Sequence, residues 1–193
     1  MWSLRKPTPA TLDRLLSRVA ALELTYPEVG MSRLAQQRPG FGREAHDVIL
    51  DMPYDEARDA LCAFATHRLP YLFLYPVDAR VILGANVIVC ARIGPLWSSN
   101  PCRIVFVDET PDRFSYGYGT LPGHAESGEE SFTVERRADG RVRAYTAAHA
   151  RPDAWLARLG APVAHRVQRQ IKVDYMRALV TATSASVSLP SDG

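Results

Sequence analysis

Two hydrophobic periods alternate along the chain, and the places where they switch divide it into helical and extended parts. Between Thr8 and Leu22 the apolar residues fall at Leu12, Leu15, Leu16, Val19 and Leu22. Those offsets of three and four put one face of a helix into a core. Thr8 suits the N-cap and Pro9 the first helical position, where a missing N–H costs nothing. Residues 25–42 hold Pro27, Gly30, Pro39 and Gly40 and read as loop. His46 to Leu50 reads as a short strand. A second helix starts at Pro53, with Ala57, Ala60, Leu61 and Phe64 on one face and Asp51 as its expected cap.

From Tyr71 the period becomes two. Strands are expected at 71–75, 80–83, 87–93, 102–107, 113–121, 130–136 and 141–148. Asp108 to Asp112 is a polar turn, 122–128 a loop, and Asp139-Gly140 a hairpin turn. Short links between successive strands imply an antiparallel sheet. The end reverts to helix. A short helical turn is expected from Pro152 to Gly160. A long helix then starts at Pro162, with Val163, Val167, Ile171, Tyr175 and Leu179 at offsets of four. That stripe needs an apolar partner, and the sheet is the only large one.

This is an α+β layout: a curved antiparallel β-sheet gripping a long C-terminal helix, with an added N-terminal helix. The expected organisation is a helical extension over 1–24, one domain over 25–182, and a disordered tail over 183–193. A sheet curved around a helix leaves a space that suits a ligand.

Composition narrows the function classes. The chain has 193 residues, 47% hydrophobic and 23% charged, with a net charge of +2. That balance fits a globular domain and gives no electrostatic footprint for nucleic acid. Asp13, Arg14, Arg18 and Glu23 interrupt any secretory apolar segment. The longest apolar stretch, 81–91, contains Asn86 and is shorter than the ~20 residues of a membrane helix. A cytoplasmic protein with no membrane span is expected. Cys62, Cys90 and Cys102 are odd in number, irregularly spaced and set among apolar neighbours, so they read as buried free thiols. Lys6 and Lys172 are the only lysines. His46, His67, His149 and His165 are scattered and read as surface or packed residues.

The unusual segment is Arg113 to Phe132. On its strand, Phe114, Tyr116, Tyr118 and Thr120 share one face, while Ser115, Gly117 and Gly119 share the other. Glycines in a strand mark a bend or a close approach. One reading packs the long helix on the glycine face; the other has the tyrosines line a pocket and offer polar handles. The loop beyond carries His124, Glu126, Glu129 and Glu130. A histidine beside carboxylates can act as acid or base. Alternatively, His124 or a glutamate satisfies loop backbone amides. The spacing matches no metal motif, and nothing in the chain is a nucleotide fingerprint, so no metal and no cofactor is expected.

The run Tyr118-Gly119-Thr120-Leu121-Pro122-Gly123-His124, followed by Gly128-Glu129-Glu130 and Phe132, resembles the signature of domain-of-unknown-function family nineteen-ninety, found in bacteria and plants. Leu24 to Gly30, Cys102 to Val105 with Asp108-Glu109, Arg151-Pro152, Leu159 to Pro162 and Gln168 resemble its other blocks, in order. The chain departs from the family at Ala125, where proline is usual, and at Ala150, where serine is usual. The family's tryptophans in the early helical region have no counterpart; Phe64 and Leu69 lie nearby. The family is similar to the START-like and Bet v 1-like helix-grip proteins, which implies a curved sheet wrapped on a C-terminal helix around an apolar cavity. It implies no established activity.

Three functions follow as expectations. The first is binding of a small hydrophobic or lipid-like ligand, with Tyr116, Tyr118 and Thr120 as hydrogen-bonding groups and Arg103 or Arg151 pairing an acidic group. The second is an enzyme of hydrolase, cyclase or isomerase type, with His124 as acid or base oriented by Glu126, Glu129 or Glu130. The third is a module that binds a protein partner.

Overall fold

The computed structural model describes the backbone of residues 1–153 and 161–184 and, within the last helix, the side chains of residues 170–181. The strands are β1 (Trp2–Ser3), β2 (Gly42–Leu50), β3 (Leu72–Tyr75), β4 (Asn86–Ile93), β5 (Leu96–Thr110), β6 (Arg113–Thr120), β7 (Glu126–Arg136) and β8 (Val142–Pro152). The helices are α1 (Pro9–Val19), α2 (Tyr54–Cys62) and α3 (Ala161–Ser184), with short 3-10 turns at Met31–Arg33 and Ala65–His67.

All strands join one antiparallel sheet in the order β2-β8-β7-β6-β5-β4-β3. The six strands from β3 to β8 form a meander, and β2 returns to the far edge beside β8. β5 pairs β6 through Cys102↔Thr120, while further along it Ser98 pairs Trp2 of β1. β1 therefore continues the lane of β6 past its end. A register shift between Ile104 and Phe106 bulges β5 and bends the sheet.

The two faces bury different sets. Leu12, Leu15 and Val19 of α1 pack with Ile88, Cys90 and Leu121. On the other face, Val87, Val89 and Ala91 join Phe114, Tyr116, Tyr118 and Phe132 against Tyr175, Met176 and Leu179 of α3. β4 is thus covered on both sides, which explains its unbroken apolar run. α3 also packs on α2, on the 65–67 turn, and on β2 and β8.

Most elements follow the hydrophobic periods. Thr8 caps α1 through its side chain, and Pro9 opens it. Four expectations are corrected. Residues 80–83 form no strand; they lie in the β3–β4 loop, with Ile82 and Leu83 exposed, because β3 stops at Tyr75 before Pro76 and no partner strand is offered. Asp51 does not cap α2; Pro53 precedes the helix without a side-chain cap, and Asp55 and Glu56 supply negative charge to its first turn. Strands β2, β5, β7 and β8 run longer than their expected cores, β2 starting at Gly42 rather than His46, since ladder hydrogen bonds hold polar residues in line. Pro152 ends β8 rather than starting a helix. The rest of the expected 152–160 helical turn lies outside the described residues. So does most of the expected tail, although α3 itself extends to Ser184.

The glycine face of β6 is not where the long helix sits. A side chain at Gly119 would run into the Tyr26 ring, and one at Gly117 into the Phe106 ring. The bare backbone lets the N-terminal segment lie flat on the outer face of the sheet. The tyrosine face receives α3.

Candidate functional site

A cavity of about 170 Å³ opens between the sheet and α3. Its apolar wall comes from Leu72, Val89, Ala91 and Ile93 on β3 and β4 and from Ile171 on α3. Its polar end is built by Tyr118, Glu130, Glu44, Lys172 and Tyr175. Neighbouring strands deliver these groups in register: Tyr118 stands opposite Glu130, Glu130 opposite Ala148, and Ala148 opposite Glu44. Lys172 and Tyr175 come from adjacent positions on one face of α3.

Glu130 is the hub. Tyr118 Oη donates to its Oε2 at 2.8 Å, while Thr146 Oγ1 and Lys172 Nζ each donate to its Oε1 at 3.2 Å. Lys172 also lies 4.0 Å from Glu44. Burial alone would push the Glu130 carboxyl up, but the Lys172 ammonium and the Tyr118 hydroxyl outweigh it and hold the carboxyl below its usual range. Glu130 is therefore ionised at neutral pH.

Behind Tyr118 stands His67, which is 1% exposed and ringed by Phe64, Tyr118, Phe132 and Tyr175. Burial pushes its pKa down to about 4, so the imidazole is neutral. Thr66 Oγ1 lies 2.8 Å from Nδ1, and Tyr118 Oη lies 3.4 Å from Nε2. Because Tyr118 gives its proton to Glu130, the network assigns the proton of the ring to Nε2, with Thr66 donating to Nδ1. The donors then run in one direction, from Thr66 through His67 and Tyr118 to the carboxylate. Burial pushes the Tyr118 hydroxyl far above its ordinary value, so it stays a donor.

A family model described as Domain of unknown function (DUF1990) matches residues 25–178. The chain belongs to the DUF1990 family. A UPF0548 protein of Deinococcus radiodurans is 31% identical over 197 residues, covering 94% of this chain and 98% of that protein. A UPF0548 protein of Arabidopsis thaliana is 28% identical, covering 76% of this chain and 70% of its own length. Among solved structures, Ara h 8.0201 superposes with a TM-score of 0.53 at 14% identity, covering 76% of this chain and 99% of that one. The Helicobacter pylori hypothetical protein jhp0584 gives a TM-score of 0.53 at 14% identity, covering 79% and 99%. These likenesses show a Bet v 1-like fold, as the resemblance implied.

The DUF1990 signature run serves both faces of the sheet. On the inside it brings Tyr118, Thr120, His124, Glu126 and Glu130 to the cavity. On the outside Glu129, 2% exposed, accepts hydrogen bonds from Tyr26 Oη at 2.8 Å, Gly30 N at 2.8 Å, Ser32 N at 3.0 Å and Ser32 Oγ. Its backbone reaches the cavity wall, but its carboxylate faces away and fastens the 25–34 segment. His124 Nδ1 accepts the Glu126 amide at 2.9 Å, and burial pushes its pKa down to about 4. Thr120 Oγ1 accepts the Gly128 amide at 2.9 Å and meets Thr25 Oγ1 at 2.5 Å. Both side chains close the turn they belong to.

The other sequence candidates lie elsewhere. Tyr116 is fully buried, stacked on Phe132 at 5.3 Å between centroids, and belongs to the core. Arg103 donates to Asn86 Oδ1 at 2.8 Å, Leu22 O at 3.1 Å and Ala20 O at 2.8 Å. It ties the end of α1 to the outer face of the sheet. Arg151 lies over the Phe41 ring at 5.0 Å. Neither arginine lines the cavity.

Lys172, Glu44 and His67 escaped the sequence reading. Lys172 carries a usable signal, as one of two lysines in a chain with 23 basic residues. Tyr175 belongs to the apolar stripe of α3, and its spacing alone does not distinguish it from the core residues beside it. No group of three or more metal-ligating side chains is found among the described residues, and no helix there is long and apolar enough to cross a membrane.

Proposed function

We propose that the protein binds a compact, largely apolar small molecule in the cavity between the sheet and α3, with its polar end at Tyr118, Glu130 and Lys172. The observation that carries this reading is an apolar pocket ending on a buried ion pair. Apolar walls with a few convergent polar groups are the usual make-up of a ligand site. The size favours one ring or a short branched chain. A cavity of ~150 Å³ suffices for benzene, and this one measures about 170 Å³. That narrows the lipid-like class towards its smallest members. Arg103 and Arg151, engaged elsewhere, give no support to an acidic ligand group at this site.

An acid–base role for His124 draws less support. Its Nδ1 lone pair is occupied by the Glu126 amide, which leaves the ring proton on Nε2 and no free lone pair to act as a base. Burial pushes its pKa down to about 4, so the imidazolium that would act as an acid is not formed at neutral pH.

The test is native mass spectrometry of protein from its own host, followed by a thermal-shift panel of single-ring alcohols, phenols and amides. A stoichiometric bound compound, or saturable stabilisation by panel members, is the expected result. Ala148→Phe, which fills the cavity, should keep the far-UV spectrum and lose both. A clean apo mass together with no stabilisation by any panel member would overturn the proposal.

A further inference from the structure

Strand β2 is the long edge of the sheet. It pairs on one side with β8 over its whole length, Gly42↔Ala150 to Leu50↔Val142, and among the described residues no strand lies on its other side. The opposite edge, β3, is only four residues long. β2 has nine residues, no proline, and exposed side chains at Arg43, Ala45 and Asp47. A long edge that faces no strand is a template for another strand, and the charges of Arg43, Glu44 and Asp47 bar any strand that does not complement them.

The side chains of β2 specify which strand. In a two-fold pairing of β2 with β2 of a second copy, residues whose numbers sum to a constant face each other. That constant must be even, so that each sheet face continues into its counterpart. With Ala45 on the axis, Arg43 faces Asp47 on the outer side and Glu44 faces His46 on the inner side. Symmetry repeats the Arg43–Asp47 pair, giving two ion pairs across the axis, and sets each Glu44, which keeps Lys172 at 4.0 Å, beside a histidine rather than a second carboxylate. Neighbouring registers do worse. With Glu44 on the axis, two carboxylates meet; with His46 on the axis, Arg43 faces Ile49 and Glu44 faces Val48.

The same register suits the flank. Beside β2, an apolar groove runs between Val48 and Val173, Met176 and Val180 of α3, with Val180 41% exposed. Opposite Val48 the partner would place Gly42, which has no side chain to obstruct the approach of that helix. We infer that two copies of this chain associate through antiparallel β2–β2 pairing centred on Ala45, extending the sheet across a two-fold axis. The inference stands independently of what the cavity holds.

The decisive experiment is sedimentation velocity on the full chain over a concentration series, with an oxidative cross-linking arm. At an antiparallel axis the two Ala45 Cα atoms lie ~4.5–5.5 Å apart, within disulfide reach. Ala45→Cys should therefore give a cross-linked dimer under mild oxidant, whereas Ile49→Cys should stay at the background of the native thiols. Arg43→Asp should weaken the dimer by at least about tenfold, because two attractive pairs become repulsive. Arg43→Asp with Asp47→Arg should restore it. Asp47 also bridges Arg143 at 3.1 Å and Arg43 Nε donates to Leu34 O at 3.4 Å, so circular dichroism of each variant checks the fold. A monomer at all concentrations with no Ala45→Cys cross-link would overturn the inference. So would a dimer indifferent to Arg43→Asp, or one cross-linked at Ile49→Cys but not at Ala45→Cys.

Discussion

Individual residues here are assigned by what they face. Glu129 and Glu130 are adjacent in sequence, yet strand geometry turns them to opposite sides of the sheet. Glu129 holds the 25–34 segment through four donors, two of them backbone amides. Hydrogen bonds to a buried charge contribute more than neutral ones, and their loss strands the partners. Glu129→Ala should lower the unfolding free energy by roughly 2–4 kcal/mol in urea titration and speed hydrogen exchange at the Gly30 and Ser32 amides.

His67 sets a pH dependence. Its folded pKa of about 4 lies below its ordinary 6.5, so between those values the unfolded chain binds more protons than the folded one. Stability therefore falls as pH drops through that window, by up to about 1.4 kcal/mol per pH unit. Glu130 has the depressed-carboxylate sign. Its contribution is present above the ordinary carboxylate range and is lost as pH falls through the folded value, so it acts in the same direction. Urea midpoints should decline from pH 6.5 to pH 4; His67→Phe should reduce that decline without abolishing it, because His124, also pushed down to about 4, acts in the same direction.

At the scale of elements, β6 joins two layers because its faces differ so sharply in bulk. The tyrosine side meets α3 and the glycine side admits Tyr26. A methyl group at Gly119 has nowhere to go unless the Tyr26 ring moves. Gly119→Ala should cost about 1–3 kcal/mol, as overpacking does. The Tyr26→Ala and Gly119→Ala costs should combine less than additively, because either change frees the same space; a double-mutant cycle measures the difference. Much of this level was legible in the residues. The period-two run, the capped α1 and the C-terminal stripe all report local backbone geometry, and each formed an element near its expected place. Residues 80–83 failed for a reason no local pattern reveals: a short run with β-branched Val81 and Ile82 makes a strand only if another strand accepts it.

Across the whole molecule, α3 is fastened to the sheet by apolar packing and by Lys172 set between Glu130 and Glu44. Lys172 is 8% exposed, so removing one partner leaves a buried charge. Lys172→Met, which strands the Glu130 carboxylate, should destabilise by about 3–5 kcal/mol; Glu130→Gln should cost less, because Glu44 stays 4.0 Å from the ammonium, and the double variant should lose less than the sum. Chemical denaturation of the three variants checks this.

The chain by itself determined the class of fold, the two faces of β6, the cap of α1 and the membership of a family, because each depends on residue type and spacing along a few turns of backbone. The legible part of the candidate site was the segment that runs through it: Tyr118, Thr120, His124, Glu126 and Glu130. Which of these do work at the cavity was decided only by tertiary structure. Glu130 gains its role from Lys172, which lies 42 residues away on a different element. His67 is an isolated histidine in sequence and becomes the back of a donor chain only when Tyr118 and Tyr175 close around it. Arg103 could have paired a ligand until the end of α1 claimed its guanidinium. Charge and hydrogen bonding act through space over a few ångströms, and in an antiparallel sheet those distances join residues far apart in the chain.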